Sequence, residues 1–486
     1  MTGLAPDFNL LRPHWPLLCA SDEPVANKLN VTAAWDTTPI AQVAVAEERH
    51  VQDALFAAFS MFRQKDRWLS RERRIELLEK AAELIRDHAA TLATESSRES
   101  GKPLVDARRE VERTLADCAV AIAHLHAGTD APFPTALKPS ANSHDTVLRR
   151  TEPGGVVVAL LAANHGLELA ARYLFAALAA GCPIIVKPSV DAPLSCLRLV
   201  HLLHEAGLPY VFCQCVILQS EVVTQELVCD PRVAQLCFVG AATVGWALRA
   251  QLPPGTRCTL DHGGVTPAVV ADDADMDRVR DALVAGAFCC AGQDSLSVQR
   301  AYLPAATAEA LAREIGAQAA ALPWGDPLLE TTRIGPLIRE AEVERIHNWV
   351  SAAVTGGAQL IAGGFAHNKR CYAPTVLLDP PIDALVSTQP CFGPVLCVYS
   401  STGLLAACER ANALPYALIA AVFTQSSETL EVVFKALDAS AVVLNQNPAQ
   451  ISGTVPLQGL RRSGLGSRGM LACITALQLH KALVLD

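Results

Sequence analysis

The chain has 486 residues, more than one hydrophobic core normally holds, so two domains or one domain with appendages are expected. It carries 40 basic and 49 acidic residues, and its net charge of -9 excludes the basic footprint of a nucleic-acid-binding protein. This charge favours small molecules and other proteins as partners.

The sixteen cysteines are scattered without regular spacing. In a chain of this length that pattern favours cysteine as a small, reduced core residue over a disulfide framework. Residues 1–23 lack the charged-then-apolar order of a signal peptide. The longest apolar region, residues 154–186, is interrupted by polar and charged side chains, which predicts buried strand, loop and helix and no membrane span. We therefore expect a cytoplasmic protein without a membrane segment.

Long helices are predicted at the start of the chain, because residues 51–112 place apolar side chains at helical spacing. Ser70 is the predicted N-cap of the second helix. Residues 129–143 are rich in Pro, Ala and Ser, and they lead into a predicted strand at 146–150.

Short apolar runs then alternate with helical stretches, which is typical of βαβ units and a largely parallel sheet. The first set of runs lies at 156–161, 184–186, 212–218 and 234–238. A second α/β set extends from 267 to about 443, with strands predicted at 298–303 and 420–424. Residues 475–484 close the chain as a predicted strand.

Six motifs follow predicted strands or lie in loops between elements. In chain order they are Leu-Ala-Ala-Asn-His-Gly at 161–166, Val-Lys-Pro-Ser at 186–189, Phe-Val-Gly-Ala-Ala-Thr-Val-Gly at 238–245, Leu-Asp-His-Gly-Gly at 260–264, Ala-Gly-Gln-Asp-Ser at 291–295 and Gln-Pro-Cys-Phe-Gly-Pro-Val at 389–395. In this order they resemble the motifs of the aldehyde dehydrogenase superfamily, and the resemblance extends over essentially the whole chain.

The resemblance implies an α/β fold with two Rossmann-type parallel-sheet domains and a bridging β oligomerisation arm. Residues 1–128 and 151–258 would form the dinucleotide-binding-type domain, and residues 259–443 the catalytic-type domain. Residues 129–150 and 444–486 would form the bridging elements. These imply a homo-oligomer, either dimer or tetramer, or a mixed assembly with a homologue.

The family's catalytic thiol is replaced in this chain. In the family the residue two after Ala-Gly-Gln is the catalytic cysteine, and here it is Ser295. The family's general-base glutamate corresponds to Asp261, one methylene shorter. Asn164 keeps the amide that would hold the oxyanion, although the same residue could instead cap the helix that follows it. A hydroxyl is a far weaker acid than a thiol and needs an adjacent base to attack.

The resemblance also implies NAD or NADP as cofactor and no metal. Lys187 would hold the adenosine ribose, and Val190 replaces a glutamate that often selects the unphosphorylated ribose. Ser189 and Lys187 could tolerate a 2′-phosphate, which favours NADP.

Gly240 and Gly245 would let the backbone approach the pyrophosphate, and Phe392 would form a wall beside the nicotinamide. Pro390 replaces the glutamate that holds the nicotinamide ribose in the family. We therefore expect dinucleotide binding to be weak or lost.

Three hypotheses follow from these substitutions. The first is a catalytically degenerate homologue with a binding or regulatory role. The second is an active NAD(P)-dependent aldehyde dehydrogenase that works with a non-standard site on a small aldehyde. Cys289 and Cys290 are read first as small core residues, and a surrogate nucleophile at either position is the less favoured alternative. The third is an esterase-like hydrolase in which Ser295 is activated by His165 or His262.

Overall fold

The computed structural model describes residues 9–128, 146–451 and 455–485. The Pro-, Ala- and Ser-rich stretch 129–143 lies outside these residues. The described helices are α1 Glu48–Arg63, α2 Arg71–Asp87, α3 Ala89–Ser100, α4 Leu104–Ala127, α5 Gly166–Ala180, α6 Leu194–Glu205, α7 Glu221–Val228, α8 Ala242–Arg249, α9 Met276–Phe288, α10 Ala305–Ala320, α11 Glu340–Thr355, α12 Leu385–Thr388, α13 Leu404–Asn412, α14 Ser427–Ala436 and α15 Met470–Leu477.

The strands are short, as the apolar runs of the sequence predict. They are β1 His14–Trp15, β2 Lys28–Thr32, β3 Pro39–Ala44, β4 Thr146–Pro153, β5 Val156–Leu160, β6 Ile184–Lys187, β7 Cys213–Cys215, β8 Val233–Val239, β9 Arg257–Asp261, β10 Thr266–Val270, β11 Val298–Pro304, β12 Gln359–Ala362, β13 Thr375–Leu378, β14 Val395–Ser401, β15 Tyr416–Ala417, β16 Ile419–Phe423, β17 Ala441–Leu444, β18 Leu457–Gln458, β19 Leu460–Arg461, β20 Gly464–Leu465, β21 Ser467–Arg468 and β22 Gln478–Leu485.

Two large sheets organise these elements. The first has the order β20-β9-β8-β5-β6-β7, and the second has the order β12-β13-β14-β11-β10-β16-β17. In each sheet one edge strand, β20 or β12, pairs antiparallel with its neighbour, and the other neighbouring strands pair parallel. The predicted parallel α/β organisation is therefore confirmed.

Both faces of the first sheet are covered, as a parallel sheet requires. Along β5, Val157 and Ala159 belong to the apolar cluster that includes helices α2 to α6. Their neighbours Val156 and Val158 point to the opposite face and pack in the cluster that includes α1. A separate apolar cluster surrounds the second sheet.

The opening helices are present, and the Ser70 N-cap is confirmed, because its side chain accepts a hydrogen bond from the Arg73 N–H at 3.1 Å. The strand prediction for 475–484 is wrong at its start. Helix α15 continues to Leu477 because Met470, Cys473, Ile474 and Leu477 form one buried helical face, and strand β22 begins only at Gln478.

A two-stranded arm stands apart from both sheets. Strand β22 pairs antiparallel with β4, with Gln478 opposite Pro153 and Leu485 opposite Thr146. The strand predicted at 146–150 is therefore confirmed and extends to Pro153. Among the described helices, none combines the length and the apolar character needed to cross a membrane.

Candidate active site

A cavity of about 990 Å³ opens where strands of the first sheet end. Leu160, Lys187, Val239 and Asp261 are the last residues of β5, β6, β8 and β9, and all four line it. Ligands of open α/β sheets bind at this carboxyl edge of the strands. Residues from the second sheet's loops close the other side, so the cavity lies between the two α/β units.

The loop that carries Ser295 follows helix α9 through a tight turn, Cys289–Gly292. Cys290 and Ala291 both adopt the left-handed conformation, with φ of 51° and 54°. Gly292 follows at φ 71°, where a Cβ atom would lie only 2.1 Å from the Gly393 carbonyl oxygen. The backbone of the loop therefore packs directly against the backbone of Gly393. Ser295, three residues further on, is half-buried on the cavity wall.

A single guanidinium joins Ser295 to Asp261. Arg468 Nη1 donates to Ser295 Oγ at 3.0 Å and to Asp261 Oδ1 at 3.1 Å. The side chains of Arg468 and Asp261 are only 11% and 6% exposed, so this contact is shielded from water. An arginine has no acceptor and does not deprotonate in proteins, so it cannot take a proton from the serine hydroxyl.

A second arginine holds the other side of Asp261. Arg172 Nη1 lies 3.4 Å from Asp261 Oδ2, and Arg172 Nη2 lies 3.2 Å from Glu168 Oε1. Burial disfavours the charged form of Arg172, but Glu168 and Asp261 outweigh this effect and raise its pKa above the ordinary value. Arg113 pairs with the same glutamate at 2.7 Å. The carboxylate of Asp261, predicted as the general base, is therefore part of a buried network of ion pairs.

Asn164 holds the loop that precedes the serine. Its Nδ2 donates to the Gln293 carbonyl oxygen at 3.0 Å, and the Gln293 side chain accepts from the Ile338 N–H at 2.9 Å. The helix-capping alternative for Asn164 is wrong, because His165 is the N-cap residue of α5 and no side-chain cap bond is present there.

The two candidate histidines bind other groups. His262 Nδ1 lies 2.8 Å from the Gly240 carbonyl oxygen, and its Nε2 is buried beside Gly245 without a hydrogen-bond partner among the described residues. Burial lowers the pKa of His262. His165 Nε2 lies 3.2 Å from Asp294 Oδ2, within hydrogen-bond distance. Ser295 Oγ therefore bonds to Arg468 in this site, and neither histidine is seen to bond to it.

The proposed adenosine end of the cavity contains Lys187 and Ser189. Lys187 is half-buried, its Nζ makes a long contact of 3.5 Å to the Pro188 carbonyl, and burial lowers its pKa. Ser189 Oγ donates to Asp191 Oδ2 at 3.1 Å, and Arg339 Nε lies 3.0 Å from Asp191 Oδ1. Sequence reasoning missed this acid, which lies one residue beyond the Val190 position at which a glutamate was sought.

Gly240 lines the cavity. Gly245 is buried under the His262 ring, where a Cβ atom added to Gly245 would lie 2.2 Å from a ring carbon of His262. Phe392 also lines the cavity, and its ring lies 2.7 Å from the site of a Cβ on Gly263. That same Cβ site is 3.9 Å from Ser295 Cα, so Phe392 lies close to the serine loop. Pro390 is a further lining residue.

Sequence reasoning also missed the arginines. Arg172 and Glu168 were visible as charges inside an apolar run, four residues apart and hence on one helical face. Arg468 lies within the glycine-rich segment 464–469 and gave no signal of its own.

The comparisons with known proteins agree with this architecture. Residues 21–482 match the family described as the aldehyde dehydrogenase family. The chain belongs to the aldehyde dehydrogenase family. This confirms the resemblance of the motifs and, with the solved structures below, the α/β aldehyde dehydrogenase fold.

Similar proteins cover almost the full chain. A 3-sulfolactaldehyde dehydrogenase of Priestia aryabhattai is 29% identical over 468 residues, 96% of each chain. The crystal structure of aldehyde dehydrogenase 21 from Physcomitrella patens, in complex with the reaction product succinate, is 29% identical, has a TM-score of 0.90 and aligns over 97% of this chain and 98% of that one. The NADP complex of a glyceraldehyde-3-phosphate dehydrogenase from Methanocaldococcus jannaschii is 26% identical, with a TM-score of 0.88 and coverage of 94% and 99%.

Proposed function

We propose that this protein is a ligand-binding or regulatory member of the aldehyde dehydrogenase family that does not oxidise aldehydes through a thiol. The contact that carries the proposal is the one between Arg468, Ser295 Oγ and Asp261. One cation, the Arg468 guanidinium, thus donates to the hydroxyl of the predicted nucleophile and to the carboxylate of the predicted general base.

The chemistry of these groups supports the proposal. A serine attacks a carbonyl only when a nearby base takes its proton. Asp261 is buried between Arg468 and Arg172, and its carboxylate oxygens face these two guanidinium groups. Among the described residues, Ser295 Oγ is hydrogen-bonded to Arg468 and is not seen to bond to Asp261. No cysteine is among the described residues that line the cavity, so Cys289 and Cys290 have no direct access to a bound aldehyde there.

The cavity fits the adenosine half of a dinucleotide better than the nicotinamide half. The Lys187 ammonium contacts the backbone carbonyl of Pro188 and is not seen to bond to any side chain of the described residues. Lys187, Ser189 and Gly240 all line the cavity. At the other end, Pro390 offers no carboxylate to a ribose. We therefore propose NAD or NADP as the ligand, bound weakly. NADP is favoured because Val190 brings no negative charge and the carboxylate of nearby Asp191 is paired with Arg339.

Calorimetric titration with oxidised and reduced NAD and NADP tests binding. Loss of one charged ribose contact reduces binding by roughly 1.5–3 kcal/mol, and two such losses move a micromolar site toward millimolar. A dissociation constant at low micromolar or below would contradict weak binding. Lys187→Met should abolish whatever binding is found, and Lys435→Met, on an exposed helix, is the control.

Assays with small aliphatic and aromatic aldehydes test the chemistry. We expect no appreciable NAD(P)H formation. Turnover that survives Ser295→Ala and disappears with Cys290→Ala would overturn the proposal in favour of a dehydrogenase with a surrogate thiol. Ester hydrolysis that disappears with Ser295→Ala would instead favour the hydrolase.

Location and assembly belong to the same proposal. All sixteen cysteines are unpaired, which suits a reducing compartment such as the cytoplasm. The β4–β22 arm suits a homo-oligomer, dimer or tetramer, or a mixed assembly in which this chain regulates a homologue.

A further inference from the structure

Two adjacent thiols and a carboxylate meet behind the serine loop, outside the residues that line the cavity. Cys289 Sγ lies 3.4 Å from Asp106 Oδ1 and 3.9 Å from Cys290 Sγ. One possible ligand atom from each of Cys289, Cys290 and Asp106 lies within 4.8 Å of the other two. Cys290 is buried and Cys289 is half-buried, so one side of the group faces a route to solvent.

Two of these separations match the edges of a tetrahedral zinc site. With zinc–sulfur bonds of about 2.3 Å and zinc–oxygen bonds of about 2.1 Å, a tetrahedron has edges of about 3.8 Å between two sulfurs and about 3.6 Å between sulfur and oxygen. The observed 3.9 Å and 3.4 Å differ from these values by a few tenths of an ångström. The third separation, between Cys290 and Asp106, is at most 4.8 Å, so the three side chains would have to close by no more than about 1.2 Å around a cation.

The backbone presents the ligands in this arrangement. Cys290 has a φ of 51°, a left-handed conformation that is unusual for a residue with a side chain. Its N–H donates to Asp106 Oδ2 at 3.4 Å, which leaves Oδ1 toward Cys289. Asp106 lies in the first turn of α4, whose bounds begin at Leu104. Such strained residues are concentrated at functional sites.

The charges also balance. Two thiolates and one carboxylate carry three negative charges, a divalent cation contributes two positive charges, and Arg109 contributes a third. Arg109 Nη1 already pairs with Asp106 Oδ1 at 3.1 Å, as the carboxylate ligands of metal sites are commonly hydrogen-bonded. A buried group of this kind is stable when its charges are compensated.

We infer that Cys289, Cys290 and Asp106 form a binding site for a thiophilic divalent cation of the zinc class, with a fourth position open to water. Bound there, the cation would fasten the turn before Ser295 to helix α4. Gln293 follows this turn, and its side chain donates to the Cys290 carbonyl at 3.3 Å, so the effect would reach the serine loop. This inference does not depend on whether the cavity is catalytic.

Cobalt titration tests it on the full chain, purified under a phosphine reductant and freed of metal by a chelator. We expect thiolate-to-cobalt charge-transfer absorption that saturates at one equivalent of Co²⁺ and is abolished by one equivalent of Zn²⁺. Cys289→Ser, Cys290→Ser and Asp106→Asn should each weaken Zn²⁺ binding at least about tenfold. Cys229→Ser, a half-buried cysteine at the end of α7, should leave it unchanged.

Alkylation of the unaltered protein provides a measurement that needs no variant. Zn²⁺ should protect Cys289 and Cys290 selectively from iodoacetamide, read by peptide mass spectrometry. A folded protein without the charge-transfer absorption, a signal that persists in all three ligand variants, or protection that falls on other cysteines would overturn the site.

Discussion

Arg468 is the residue on which the proposed loss of nucleophilic attack depends. Its guanidinium lies within hydrogen-bond distance of both Ser295 Oγ and Asp261. The two groups that the family resemblance assigns to attack and to water activation are thus tied to a permanent cation. Restoring the thiol alone leaves this arrangement in place.

Ser295→Cys is therefore expected to give a reactive thiol without giving an active dehydrogenase. The neighbouring Arg468 favours the thiolate, so the new cysteine should be alkylated faster than the buried native cysteines. Asp261 stays one methylene short and Pro390 still offers no carboxylate. The reference is the variant that combines Ser295→Cys, Asp261→Glu and Pro390→Glu. NAD(P)H formation by Ser295→Cys alone should stay at least about 100-fold below it, because misplacing a reacting group by about 1 Å has effects of that size.

Both properties can be measured on the same preparations, by peptide mass spectrometry after brief alkylation and by NAD(P)H absorbance. A single variant as active as an ordinary aldehyde dehydrogenase would refute the view that the site is degenerate. Ser297→Cys, in the same loop but bonded to Gly286, is the matched control for both readouts.

Arg468 should also stabilise the fold. Arg468→Met leaves buried Asp261 with Arg172 as its remaining cationic partner. Breaking a buried pair by removing one partner destabilises by about 3–5 kcal/mol. Chemical denaturation of both proteins measures the difference. Arg313→Met removes an exposed pair with Glu309 and should change stability by about 0–1 kcal/mol, and equal effects of the two substitutions would contradict this role.

At the scale of elements, Glu110 joins three helices. From α4 it accepts from Ser96 of α3, pairs with Lys102 at 2.5 Å, and accepts from the backbone N–H groups of Leu167 and Glu168 in α5. It therefore caps the helix that follows Asn164. Burial tends to raise the pKa of Glu110, but Lys102 and His165 outweigh it and lower the pKa from 4.5 to about 2.

This lowered pKa predicts acid sensitivity. The stabilisation that comes from ionised Glu110 is complete above pH 4.5 and is lost as the pH falls toward 2, a change on the order of 3 kcal/mol. Glu110→Gln should be less stable at pH 7, and its deficit should shrink below pH 4.5. Denaturation at several pH values measures it. A constant deficit would contradict the assignment, and exposed Glu431→Gln should behave like the unaltered protein.

The elements were more predictable than the contacts between them. The apolar runs predict β5, β6 and β8 because a strand buried on both faces has a continuous apolar sequence. The end of α15 was missed although its 3.6-residue period is present, because short apolar runs suit either structure.

The site was predictable only in part. Ser295 and Asp261 were expected in one cavity by family resemblance, and both line it. Their arginine partners could not be found from local patterns, since Arg468 lies 173 and 207 residues away from them in the chain. Ion pairs of this kind depend on how the two sheets pack, and a single sequence carries no direct signal for that.

At the scale of the molecule, the β4–β22 arm leaves apolar side chains in contact with solvent. Leu479 is 47% exposed and Val484 is 60% exposed. Within the described part of the chain, the two strands pair only with each other, over eight residue pairs. A two-stranded ribbon with open edges is marginal alone, and its unpaired backbone groups are a template for another chain.

We therefore expect the arm to complete its sheet against a second copy, giving a dimer or tetramer, or against a homologue in a mixed assembly. Light scattering at micromolar concentration should give a multiple of the 51.6 kDa chain mass. Replacing Leu479 and Val484 with Lys should release monomers, because lysine on an edge strand opposes pairing with another chain. Val432→Lys is the control, since Val432 is 49% exposed on α14, and it should leave the assembly unchanged. A stable, folded monomer of the unaltered protein would rule out assembly through the arm.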